Sequence, residues 1–209
     1  EAVERLHREL GDVRRVLTDT TTSVRLVLTP EAVVVAEARR TLTSLALYGY
    51  RVDGLVANRV FPGGDAWQDA WVTAQAAQLD GVRADVAPLP VLVSPYRPSE
   101  PVGLEALVAL GQELYGDADR AADAIPADDL IGLQRTSDGF VLSLALPLAR
   151  REDVDLARSG DELVVTVAGH RRVLALPSAL RRCVVAGATL AAGRLAIRFE
   201  PDPAVWMRS

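Results

Sequence analysis

The sequence predicts a mostly parallel α/β domain followed by an all-β antiparallel sandwich. Through residue 116, apolar runs of strand length alternate with segments of helical periodicity. From residue 130 onward, short β-branched runs are separated by Asp-Gly, Ser-Gly-Asp, Ala-Gly and Ala-Ala-Gly turns. Alternating strands and helices require crossover connections and hence parallel pairing, whereas strands joined by tight turns pair antiparallel. Between the two patterns, GDADRAADAIPADD is rich in Ala and Asp, which suits a solvated linker or a frayed helix end. The expected division is therefore a first domain at 1–117, a linker at 118–129, a sandwich at 130–201 and a tail at 202–209.

In chain order, Val3, Leu6, Leu10, Val13 and Leu17 recur at three- and four-residue steps, which places them on one face of a helix. The polar run TDTTTS ends it. SVRLVLT is β-branched and apolar over strand length. TPEAVVVAEARRTLTSLALYGY opens with Thr29 as a cap, Pro30 in the first turn and Glu31 near the positive helix end, and Gly49 follows it where a left-handed cap is expected. VDGLVAN reads as a second buried strand, AWQDAWVTAQAAQL as a helix, VRADVAPLP as a third strand and VGLEALVALGQELYG as a helix closed by Gly116. Beyond the linker, LIGLQRTSDGFVLSLALPL, DVDLARSGDELVVTVAG, HRRVLALP and RRCVVAGATLAAGRLAIRFEP supply six or seven strands, the pattern of a sandwich.

Composition narrows the function. Hydrophobic residues make up 49% and mean hydropathy is +0.15, ample for buried cores. The net charge is −5 and the basic residues are scattered, which argues against a nucleic-acid surface. All 23 basic residues are arginine, so a G-x-x-x-x-G-K-[ST] phosphate loop cannot be written in this sequence. G-x-S-x-G and H-E-x-x-H motifs are missing as well, and His7 and His170 have no zinc spacing, so no catalytic or metal-ligating residue is assigned. The lone Cys183 excludes an internal disulfide framework and fits a reducing, cytoplasmic setting; it reads as a small buried apolar residue. No apolar run reaches the roughly 18 residues of a membrane helix. The first residue is Glu1 and the single methionine is Met207, so the expectation is that sequence upstream is missing.

Several residues could carry function. In LVANRVFPGGDAW the apolar run ends in Asn58 and Arg59 and reverses through Pro-Gly-Gly; Asn58 either caps that turn or faces a ligand at the carboxyl end of a parallel strand. In SPYRPSEP, three prolines preset an extended loop that either only connects strand to helix or lets Tyr96 or Arg97 lie flat against a ring. Trp67 and Trp71, four apart, share a helix face and read as core or as the lining of an apolar groove. The EARR run reads as a solvated helix face or as arginines reaching a subunit or phosphate.

VLTPEAVVVAEARRTLTSLALYGYRVDGLVANRVFP, the Trp-bearing helix and PLPVLVSPYRPSEPVGLEALVALGQELYG together resemble the carboxy-terminal half of the ATPase domain of arsenite-pump-type (ArsA) and tail-anchored-protein-targeting ATPases, over Glu1 to Gly116. The resemblance implies a P-loop-type domain that lacks here its phosphate-loop half, with its magnesium ligands and switch loops. It also implies that Asn58, with Arg59 beside it, and the loop of Pro95, Tyr96 and Arg97 form the adenine side of an ATP or ADP site. An amide offers both the donor and the acceptor that the adenine edge requires. Over Leu130 to Pro201, ATLAAGRLAIRF and FVLSLALPLARREDVDLARSGDELVVTVAGHRRVLALP resemble the α-crystallin or small-heat-shock sandwich appended to bacterial ArsA-type ATPases, with Ala192 where that pattern usually has Asn.

The implied partners are the missing amino-terminal ATPase half, a second subunit in a nucleotide-dependent homodimer, and a protein cargo such as a membrane-protein segment, or an anion. Magnesium is expected only with the missing half, and the chain alone is expected not to hydrolyse ATP. A rival reading is a non-enzymatic interaction module whose sandwich binds unfolded segments. Suppression of client aggregation unaffected by ATP would favour it.

Overall fold

A computed structural model describes residues 1–64, 66–117 and 130–205. The expected linker at 118–129 and the last tail residues, 206–209, lie outside the described residues. Two compact units are formed. The first comprises residues 1–39 and the described part of 51–127, the second residues 40–50 and the described part of 128–209.

The first unit contains α1 (Ala2–Leu17), β1 (Val24–Leu28), the start of α2 (Ala32–Tyr48), β2 (Val52–Val60), α3 (Ala66–Val86), β3 (Val91–Pro95) and α4 (Leu104–Tyr115). Its strands form a parallel sheet in the order β1-β2-β3. The central strand β2 is a near-continuous buried run through Leu55, Val56 and Ala57, as a parallel strand covered on both faces should be. Beside it, the Arg25 guanidinium donates to Asp53 Oδ1 and Oδ2 at 3.1 and 2.6 Å, Ser23 Oγ donates to Asp53 Oδ2 at 2.9 Å, and Tyr115 lies under the guanidinium with its ring centroid 5.5 Å away. This bidentate pair joins the starts of β1 and β2 and raises the Arg25 pKa, chiefly through the Asp53 hydrogen bond.

The structure corrects one predicted strand. VRADVAPLP does not form β3; α3 continues through it to Val86, because Leu79, Val82 and Val86 extend a buried stripe at helical spacing from Gln75. Pro88 and Pro90 then separate helix from strand, and β3 begins at Val91. The proline-rich loop consequently starts inside a strand, with Pro95 as its final residue.

The second unit contains seven strands: β4 (Ile131–Arg135), β5 (Phe140–Ala145), β6 (Val154–Ser159), β7 (Glu162–Val167), β8 (His170–Ala175), β9 (Cys183–Ala191) and β10 (Arg194–Pro201), with a short α5 (Ser178–Arg181) before β9. They form two antiparallel sheets, β4-β5-β10-β9 and β6-β7-β8. Period-two burial sets the core: Leu163, Val165 and Val167 on β7 and Leu195, Ile197 and Phe199 on β10 are buried, while their sequence neighbours are less so. Leu47, among the residues of α2 that group with this unit, joins the same cluster. Cys183 is buried in it, and burial raises its thiol pKa. Gly139 is required where it stands, because a Cβ there would meet the Phe199 carbonyl oxygen at 2.1 Å. Among the described residues, no helix is long and apolar enough to cross a membrane.

Candidate functional site

The carboxyl ends of β2 and β3 lie side by side, Val60 opposite Pro95, with the Tyr96 N–H donating to the Val60 carbonyl at 2.8 Å. Regular pairing breaks between Ala57 and Val60, and Arg59 takes a left-handed conformation at φ 58°. A non-glycine residue there needs support from its surroundings. Around this break lies an open pocket of about 330 Å³ lined by Asn58, Arg59, the segment from Ser94 to Pro101, and Leu110. The structure thus brings Asn58 and Arg59 of one segment and Pro95, Tyr96 and Arg97 of another, far apart in the sequence, to one cavity. Its position at strand carboxyl ends is where open parallel sheets take ligands.

Asn58 is half-buried, and its Oδ1 accepts the Arg59 N–H at 3.0 Å. The side chain thus organises the turn, and the residue also lines the cavity. The oxygen retains a second lone pair and the amide nitrogen two donors, which suits an adenine edge that offers both an amine and ring nitrogens.

Tyr96 and Arg97 take different roles. Arg97 Nη1 donates to Ser94 Oγ at 2.9 Å and to the Pro95 carbonyl at 3.3 Å, and its Nη2 pairs with Glu113 of α4. The guanidinium therefore braces the loop through its in-plane N–H groups while it lines the cavity. Tyr96 is half-exposed and stacks on Phe61, with centroids 5.1 Å apart and planes 8° from parallel. Phe61 in turn meets Trp67 edge-on at 6.0 Å and Trp71 at 5.9 Å. The two tryptophans share a helix face as expected, but they are 65% and 44% exposed and form an aromatic cluster at the surface of this unit, not part of its core.

The sequence reading missed two contributors. Phe61, read only as part of a turn, braces Tyr96. Gln75, read as one more residue of a helix, is 3% exposed and contacts the same turn. Its Oε1 accepts the Phe61 N–H at 2.8 Å and its Nε2 donates to the Arg59 carbonyl at 3.3 Å. The signal was a polar residue heading the stripe of Leu79, Val82 and Val86. Elsewhere in this unit, Arg39 of the EARR run pairs with Asp85 of α3 through its Nε at 2.6 Å. Among the described residues, no group of three His, Cys, Asp or Glu could hold a metal ion.

Comparison with known proteins gives this geometry a context. Residues 1–116 match the family model of the anion-transporting ATPase, and residues 137–199 match the HSP20-like domain found in ArsA. An uncharacterized protein of Streptomyces coelicolor is 40% identical over 217 residues, covering 100% of this chain and 52% of its own. A protein of Mycobacterium tuberculosis is 36% identical, covering 99% and 53%. A Prosthecochloris vibrioformis protein named "Putative arsenical pump-driving ATPase" is 32% identical, covering 86% and 45%. The chain spans about half the length of these relatives.

Proposed function

Because the chain belongs to the anion-transporting ATPase (ArsA) family and carries that family's HSP20-like domain, we propose that its pocket is the adenine side of a nucleotide site. That site would serve an ATPase that couples ATP binding and hydrolysis to the handling of a cargo, either a membrane-protein segment or an anion. The supporting observation is the convergence of the Asn58 amide and the Tyr96 ring on one cavity at the ends of adjacent parallel strands.

These residues suit the base. The amide pairs with its hydrogen-bonding edge, Tyr96 offers a ring face backed by Phe61, and the Arg97–Glu113 pair holds the loop that carries Tyr96. They do not suit the triphosphate, since the sequence has no lysine for a phosphate loop. Phosphate and magnesium ligands would come from sequence beyond this chain, in keeping with the greater length of its relatives. Alone, the chain binds the base end and does not hydrolyse ATP. The sandwich would act as a binding appendage for the cargo.

Isothermal titration with ADP and GDP tests the reading. The chain should favour ADP, and Asn58→Ala should weaken ADP by about tenfold, the cost of one or two hydrogen bonds to a base. Equal affinity for both nucleotides, or an unaffected Asn58→Ala variant, would remove the adenine assignment.

A further inference from the structure

We infer that Gln75 is a positioning residue for base recognition: from α3 it holds the Asn58–Arg59 turn in the conformation that presents the Asn58 amide to the pocket. The inference rests on the adenine reading above and adds a residue that does not itself line the cavity.

Gln75 occupies a position where packing alone would call for an apolar side chain. It shares its buried face with Leu79, Val82 and Val86 and is itself 3% exposed. A buried primary amide is unfavourable unless both of its ends are satisfied. Here both ends go to the same short segment of β2 and the turn after it. The Oε1 takes the Phe61 N–H and the Nε2 reaches the Arg59 carbonyl, two backbone groups that bracket Val60. Val60 is held from the other side by the Tyr96 N–H. Three successive residues are thus pinned by two elements, and the residue so pinned at its carbonyl is the left-handed Arg59.

The consequence for the pocket follows through backbone geometry. Asn58 Oδ1 accepts the Arg59 N–H, which ties that amide to the peptide plane between Asn58 and Arg59, and the left-handed Arg59 sets the angle between this plane and the clamped plane that follows it. If Arg59 relaxed to an ordinary extended conformation, the plane that carries its N–H would turn relative to the clamped one and the Asn58 amide would turn with it, so its orientation in the pocket would no longer favour adenine over guanine. The clamp also sets Phe61, the ring that braces Tyr96. One buried amide therefore orients both the hydrogen-bonding and the stacking partner of the base.

The test uses the 209-residue chain and its Gln75→Leu and Gln75→Glu variants, with two readouts. Hydrogen exchange at the Phe61 amide, measured without nucleotide, reports the clamp itself. The ratio of ADP to GDP affinity reports base recognition, which a residue that only stabilised the fold would leave unchanged. Gln75→Leu should speed Phe61 exchange, weaken ADP about tenfold and narrow the ADP preference, while GDP changes less. Gln75→Glu keeps an acceptor for Phe61 but cannot donate to Arg59, so it should preserve Phe61 protection and still narrow the preference. A folded Gln75→Leu variant with the wild-type ratio would overturn the inference, and if that variant does not fold, an unchanged ratio in Gln75→Glu would do the same. A wild-type chain that does not distinguish ADP from GDP would instead sink the adenine reading, and the recognition role with it, whatever the exchange shows about the clamp.

Discussion

The sandwich and the α/β unit treat their apolar residues differently. In the sandwich, Leu144, Val165 and Ile197 are fully buried and the inward positions of both sheets meet in one cluster. In the α/β unit, Val3, Leu6, Leu10 and Val13 of α1, Val27 of β1, and Leu104, Leu107 and Val108 of α4 are 50% to 80% exposed. Both regions have the periodicity that their elements require, so the difference lies in what covers the apolar face. The sandwich supplies its own second layer. The α/β unit presents apolar faces, an open pocket and an exposed aromatic cluster, the kind of surface that marks interaction sites. The sandwich covers its own apolar faces, whereas the α/β unit leaves several of its apolar faces uncovered.

Substitutions should separate the two regions. Ile197→Ala, a truncation at a fully buried site, should cost about 2–5 kcal/mol in denaturant unfolding of the sandwich, because the packed surroundings cannot fill the cavity. A smaller loss would mean that the core is looser than its burial indicates. By contrast, Leu10→Ser on the exposed stripe of α1 should alter unfolding by no more than about 0.5 kcal/mol while raising the solubility limit of the chain. A loss as large as that of Ile197→Ala would show that α1 is packed in solution and would weaken the contrast.

The smallest effect is electrostatic. Asp19 accepts hydrogen bonds from the Thr21 hydroxyl and backbone N–H at 2.6 and 2.8 Å, and these hold its pKa below the ordinary 3.8. Since the folded pKa is the lower one, the stabilisation is present above pH 3.8 and is lost as pH falls below it. Carboxyl titration by nuclear magnetic resonance should show Asp19 returning toward its ordinary value in Thr21→Ala, because the hydroxyl is the largest cause of the shift.

Legibility in the sequence followed the reach of the forces involved. Hairpins with Asp-Gly and Ala-Gly turns and helices with three- and four-residue stripes were readable, because turn chemistry and periodicity are local. The third strand was misplaced since VRADV carries β-branched residues, yet its Leu79–Val82–Val86 spacing continues a helix, and tertiary burial of that stripe decided the outcome. The candidate residues Asn58 and Tyr96 could be picked out through the resemblance of their segments to a family. Gln75 could not, because its role depends on a helix face meeting a turn 14 to 16 residues away. Nor could the exposure of Trp67 and Trp71, which is set by what surrounds their helix and not by their spacing along it.

The most direct test of the division between a recognising α/β unit and a self-contained sandwich is an amide chemical-shift map of the chain during ADP titration. Saturable shifts at Asn58, Arg59 and the segment from Ser94 to Arg97, with β4 to β10 unmoved, are the expected result. No shift at those residues, or saturable shifts confined to the sandwich, would contradict it.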